Sequence, residues 1–230
     1  MRCSILFTTI AVLNGIVSAL PTSNTDRKKR DEVRRSFYPK MLNENCVRAP
    51  DVERSNYVRV NGPRQDIAEN QPGVPFTLDI GLVDSTTCEP LSGAMVEVWS
   101  ANAVGQYGDT FLRGATASGE NGIAEFQTIF PGFTSDGANH INVAVHSGDA
   151  MGSTVVHTGR LFFTDPWTDI ISKADNYTEN THTRTLNDDD PHFATAKSNG
   201  YDPIVDITSI QDDWPEGIIG YITIAVDPST

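Results

Sequence analysis

The chain has 230 residues with 30 acidic against 17 basic side chains, a formal charge of −13, and 38% hydrophobic residues. So acidic a chain repels phosphate backbones and anionic lipid, so neither nucleic acid nor a membrane surface is an expected partner. The length suits one well-buried core, and no internal repeat or low-complexity break divides it.

In chain order, Arg2, the mostly apolar Ile5 to Val17 and the small residues Val17-Ser18-Ala19 read as a signal peptide over residues 1–19, too short to span a bilayer. The expectation is a secreted, extracellular protein. Arg27-Lys28-Lys29-Arg30 and Arg34-Arg35 lie in a polar stretch, residues 20–35, that reads either as a propeptide cut at dibasic sites or as a retained tail. Residues 1–30 hold five bases and one acid, so cleavage there leaves 12 against 29, a formal −17. One domain is expected over residues 36–230. Cys3 falls in the signal, which leaves Cys46 and Cys88 as an even pair: a candidate disulfide in an oxidising compartment, or two buried thiols.

The strongest periodicity beyond that point is two. Phe76 to Val83 sets Phe76, Leu78, Ile80 and Leu82 on one face, and Ala94 to Trp99 sets Met95, Glu97 and Trp99 opposite Ala94, Val96 and Val98. Further strands are expected at Gly122–Phe126, Ile141–Val145, Thr158–Phe163 and Ile218–Val226. Glu89-Pro90-Leu91-Ser92-Gly93, Ser118-Gly119-Glu120-Asn121-Gly122 and Phe130-Pro131-Gly132 supply turns. Short strands, Gly/Pro turns and a single helical segment, Asp165–Lys173, predict an all-β sandwich with long loops and little helix. Residues 174–203, polar and centred on Asn187-Asp188-Asp189-Asp190-Pro191, read as a solvated excursion over the surface. Asn176-Tyr177-Thr178 is a sequon, making Asn176 a candidate glycosylation site in an exported chain.

Several blocks, taken together and in order, carry a resemblance. They are Gln71 to Leu78, Cys88 to Trp99, Ser100 to Tyr107, Phe111-Leu112-Arg113-Gly114, Phe130-Pro131-Gly132, Gly159-Arg160-Leu161-Phe162-Phe163 and Thr185 to Asp190. From about Asn61 to Asp190 the chain resembles the fungal extracellular intradiol ring-cleavage dioxygenases. The resemblance implies a β-sandwich, a non-haem ferric site and a small aromatic or phenolic ligand of the catechol type. Members of that family hold Fe(III) with two tyrosines and two histidines, because phenolates are hard anionic donors suited to the ferric state.

Carried over position by position, the first tyrosine falls on Tyr107 and the first histidine on His140. The second tyrosine falls on Thr134, the second histidine on Asn142, and an arginine three residues before the first histidine falls on Gly137. A neutral hydroxyl and a neutral amide replace a phenolate and an imidazole, so the expected iron site is degenerate, with Fe(III) as cofactor if the protein is active and none otherwise. His146 lies on the face of His140 but about 20 Å along a regular strand, too far to share an ion. His157, His182 and His192 show no ligand spacing and read as structural or surface residues. Two functions remain: an enzyme acting on small aromatic diols, or a non-catalytic binding protein for a phenolic, quinone or cell-wall ligand.

Overall fold

A computed structural model describes residues 46–59, 62–209 and 217–230. The expected signal peptide, the dibasic stretch and residues 36–45 lie outside them.

Eight strands form two four-stranded sheets. In the first, β1 (Pro75–Asp84) is central, antiparallel to β4 (Ile123–Ile129) and parallel to β8 (Ile218–Val226), which in turn pairs antiparallel with β7 (Asp206–Ser209). In the second, β2 (Met95–Trp99) and β5 (His140–His146) are the inner pair, flanked by β3 (Arg113–Ala117) and β6 (Val155–Phe162). Alternation decides what lies between the sheets: Phe76, Leu78, Ile80 and Leu82 of β1 meet Val96, Val98, Ile141, Val143 and Leu161 in one apolar core. At Gly220, on β8 beside Leu78, a Cβ would run into the Phe76 ring, so glycine lets that ring fill the core.

The expected strands are all present within a residue or two, except that β4 runs on to Ile129 and β6 starts earlier, at Val155. Two others are additional. β3 reads Arg-Gly-Ala-Thr-Ala, with no run of large apolar residues, and β7 is a four-residue edge strand. Helix α1 (Asp165–Ile171) begins where expected, capped by Thr164 with Pro166 in its first turn, and stops two residues short of Lys173. Residues 174–203 depart from a plain solvated excursion. A 3-10 turn at Asn187–Asp189 leads into α2 (Pro191–Ala196), Asp190 caps that helix at the His192 amide, and Tyr177, Phe193, Ala196 and Tyr201 are buried. Asp followed by Pro is a helix-start signal that the surrounding acidic run concealed. Among the described residues no helix is long and apolar enough to cross a membrane.

Cys46 and Cys88 are joined, their Cα atoms 5.6 Å apart and 42 residues apart in sequence. The link ties the start of the described chain to the loop after β1. In the chain-entropy account, closing a loop of this length stabilises the fold by about 4 kcal/mol. Replacing both cysteines with alanine is expected to lower urea-measured unfolding free energy by about that amount; a loss under about 1 kcal/mol would show that the link constrains little.

Candidate functional site

Register builds the site. Arg113 of β3 pairs with Trp99 of β2, Trp99 with Asn142 of β5, and Asn142 with Arg160 of β6. Directly paired residues point to the same side, so these four side chains form one row across the outer face of the second sheet, away from the core. His140 stands on the same face two residues along β5. Tyr107 comes from the loop between β2 and β3, folded back by hydrogen bonds between Asn102 and Gln106 and by Gly105 at φ 77°, against which the His182 ring packs.

Those elements bring Tyr107, His140 and Asn142 into one chain of hydrogen bonds. The Asn142 amide donates to the Tyr107 hydroxyl (3.1 Å), which faces His140 Nε2 at 3.4 Å. His140 Nδ1 lies 2.7 Å from the Ala138 carbonyl, which can only accept, so that nitrogen carries the proton and Nε2 is the bare one. Burial pushes the Tyr107 phenol up to about 12. Burial, reinforced by the Arg160 charge, pushes His140 down to about 4. Burial thus favours the neutral form of both groups, which is the form the direction of the chain uses.

Thr134 and Gly137 belong to the loop leading into β5. Thr134 Oγ1 accepts from the Asp136 amide at 3.0 Å, so its hydroxyl closes a turn of its own loop. Gly137 has φ 116°, and a Cβ there would overlap the Asp190 carboxylate. Asp190 is 1% exposed; one oxygen accepts from the Ala138 amide at 2.8 Å and the other from the His192 amide at 2.7 Å. An arginine at 137 is thus excluded twice, by backbone conformation and by an occupied volume.

A guanidinium nevertheless reaches this loop from β6. Arg160 donates to the Asp136 carbonyl at 2.7 Å, and pairs with the Asp136 carboxylate at 3.4 Å; its side chain is 1% exposed. The Ser55 hydroxyl bonds to the same carboxylate and accepts from Arg160 at 3.3 Å. Arg113 lies over the Tyr107 ring, 5.9 Å from its centre. Three side-chain atoms of the row, Arg113 Nη1, Asn142 Oδ1 and Arg160 Nε, are buried without a hydrogen-bond partner.

Two of the other histidines, His146 and His157, make side-chain contacts of their own. His157 bonds to Asp51 at 3.1 Å, and His192 is half-buried on α2. His146 is buried against Glu97 at 2.7 Å, with its other nitrogen 2.9 Å from the Ser153 carbonyl. Both neighbours accept, so both ring nitrogens must donate, and the Glu97 hydrogen bond raises the His146 pKa. Among the described residues no three His, Cys, Asp or Glu side chains converge on a metal position. A crevice lined by Phe130, Pro131, Asn139 and Tyr177 is too tight to take a water molecule and includes neither Tyr107 nor His140.

Arg160, Asp136, Ser55 and Asp190 were not singled out by the sequence. Arg160 carried one usable signal, a charge inside an otherwise apolar strand block. Ser55 carried none.

This two-sheet sandwich, with its outer-face site and little helix, has the intradiol dioxygenase fold. Among solved structures, an intradiol ring-cleavage dioxygenase from Tetranychus urticae is 26% identical, covering 80% of this chain and 96% of its own, with a TM-score of 0.70. A second dioxygenase structure is 26% identical with a TM-score of 0.71, covering 81% of this chain and 97% of its own. Catechol 1,2-dioxygenase from Acinetobacter sp. ADP1 shares the fold at 19% identity and a TM-score of 0.52, covering 88% and 68%. No protein-family model and no curated protein matches the chain.

Two outcomes follow from this geometry. Gly137→Ala is expected to destabilise by about 1–3 kcal/mol, and removing the Asp190 carboxylate in the same chain should recover part of that loss in a double-mutant cycle. Full additivity would separate the two positions. The raised pKa of His146 contributes stability that is complete below about pH 6.5 and disappears as pH rises through its folded-state value. Urea midpoints should accordingly fall from pH 6 to pH 9, and His146→Gln should be less stable by about 3 kcal/mol at pH 6 with a flatter profile.

Proposed function

We propose that this protein is a secreted member of the intradiol ring-cleavage dioxygenase family that binds small phenolic or catechol-type compounds without opening their rings by iron chemistry. The observation that carries this reading is the arrangement of the site: the Asn142 amide donates to the Tyr107 hydroxyl, which faces His140 Nε2, and the Thr134 hydroxyl accepts from the Asp136 amide of its own loop.

The residues present do not fit a ferric ion. Tyr107 is the one phenol in the cluster. Thr134 spends its hydroxyl on the Asp136 amide, and Asn142 turns its amide N–H₂, not its oxygen, toward Tyr107 while also reaching the Trp99 carbonyl at 3.4 Å. Changes in groups that merely support a metal's ligands cost 10–100-fold or so in affinity, and loss of two donors costs more.

A phenolic ligand suits what remains. Its hydroxyl can donate to the unpartnered Asn142 Oδ1, and unpartnered N–H groups of Arg160 and Arg113 can meet an oxygen. The similarity to an intradiol ring-cleavage dioxygenase over 96% of that protein's length supports an aromatic ligand of this kind. For an exported chain, N-glycosylation at Asn176 is part of the same reading: the residue is exposed in a turn at φ 72°, with Tyr177 buried beneath it.

Purified protein expressed with ferric salt is expected to be colourless, to hold well under one iron per chain and to leave catechol uncleaved, while catechol binds in calorimetry. Stoichiometric iron with ring opening, or no binding of any phenol, would overturn the reading. Thr134→Tyr with Asn142→His is expected to raise iron content; no rise would show that the site differs from a ferric centre in more than those two donors.

A further inference from the structure

Residues 51–57 cross the outer face of the second sheet directly above this site, and their two halves are attached differently. Val52 is fixed: it is buried with Ala138, Phe162, Phe193 and Ala196, its amide donates to the Thr158 carbonyl at 2.8 Å, and its carbonyl accepts from the Thr158 hydroxyl at 3.0 Å. Beyond it, Glu53, Arg54, Asn56 and Tyr57 are exposed and only Ser55 is half-buried. Asn56 sits at φ 51°, a kink that asparagine tolerates.

Among the described residues, every contact that holds the outer half has a side chain on at least one side. The Ser55 carbonyl accepts from the Trp99 indole at 2.8 Å, and its hydroxyl joins Arg160 and Asp136. Trp99 and Arg160 flank Asn142 in the row, so Ser55 bridges over Asn142. Tyr57 donates to Glu97 at 3.1 Å and sets its ring against Trp99 with centroids 5.2 Å apart. In the row that this bridge crosses, Asn142 Oδ1 and Arg160 Nε are buried and without partners. Buried polar atoms are rarely left so. A segment with almost no apolar anchorage, held by a few polar contacts, belongs to the part of a fold that opens locally at little cost.

We propose that residues 53–57 are a lid, hinged at Val52, that lifts from Trp99 and Arg160 to admit a ligand to Asn142, His140 and Tyr107 and closes over it through Ser55 and Tyr57. The ligand part rests on the phenolic-binding reading above. Opening breaks the contacts of Ser55 and Tyr57 while the Val52 contacts and both sheets stay intact. It exposes the indole of Trp99, which is 2% exposed in the closed form.

The test compares the wild-type chain with Ser55→Ala plus Tyr57→Phe, and with Tyr57→Phe alone should the double variant fold poorly. Acrylamide quenching of the emission that Trp99→Phe removes is expected to rise about threefold or more in the variants, with unfolding midpoints little changed. Stopped-flow mixing with catechol is expected to show association and dissociation rates both raised about fivefold or more, with affinity changed far less, as for a gate that is easier to open. Binding that appears only in the variants would equally support the lid. Unchanged Trp99 quenching, or catechol binding at wild-type rates, would overturn it. Absence of catechol binding in every variant would defeat the phenolic reading instead, and the quenching result alone then decides whether the lid exists.

Discussion

The pairing of β5 between β2 and β6 is the constraint from which the site follows. Because side chains alternate, this register sends Ile141, Val143 and Val145 into the core and leaves His140, Asn142 and Ala144 on the outer face. A slip of one residue would bury an imidazole and an amide in hydrocarbon and expose three large apolar groups, so the register cannot drift while the core exists. The same register aligns Arg113, Trp99, Asn142 and Arg160. A polar row outside and an apolar layer inside are thus two results of one arrangement.

The changes around Gly137 are likewise one change seen from several residues. With glycine at φ 116°, the loop into β5 leaves room for the Asp190 carboxylate, which binds the Ala138 amide. The Ala138 carbonyl then takes the His140 Nδ1 proton, leaving Nε2 toward Tyr107. Asp190 also starts α2 and Arg160 braces Asp136 from the neighbouring strand, so the loop is held from both sides. An arginine placed at 137 would have to displace a buried carboxylate that caps a helix. Substitutions at single positions of this loop therefore meet a closely packed surrounding.

What could be read from the residues tracks how local each signal is. β1, β2, β5 and β8 alternate strongly and are bounded by Gly/Pro turns, and they lie close to where alternation puts them. β3, with one glycine and three small residues, becomes a strand only because β2 supplies a partner; its propensity is weak. Asp190 looked like one more acid in an acidic run, though the proline after it marks a helix start. Tyr107, Thr134, Gly137, His140 and Asn142 were singled out by resemblance, not by periodicity. Ser55 and Arg160 meet across 105 residues of sequence, and nothing local in either segment announces the contact.

Arg160 also explains how the outer-face row remains polar and buried instead of filling with apolar side chains. A buried guanidinium must be hydrogen-bonded, and Asp136 and Ser55 meet most of that need. Replacing Asn142 with an apolar residue would leave the Tyr107 hydroxyl without its donor, and replacing Tyr107 would strip Asn142 of a partner and Arg113 of the ring it covers. Each polar group is retained by its neighbours, so single losses are costly even where no metal enforces them. The atoms of the row that this network leaves unmatched are Arg113 Nη1, Asn142 Oδ1 and Arg160 Nε. They mark where the polar row is still incomplete.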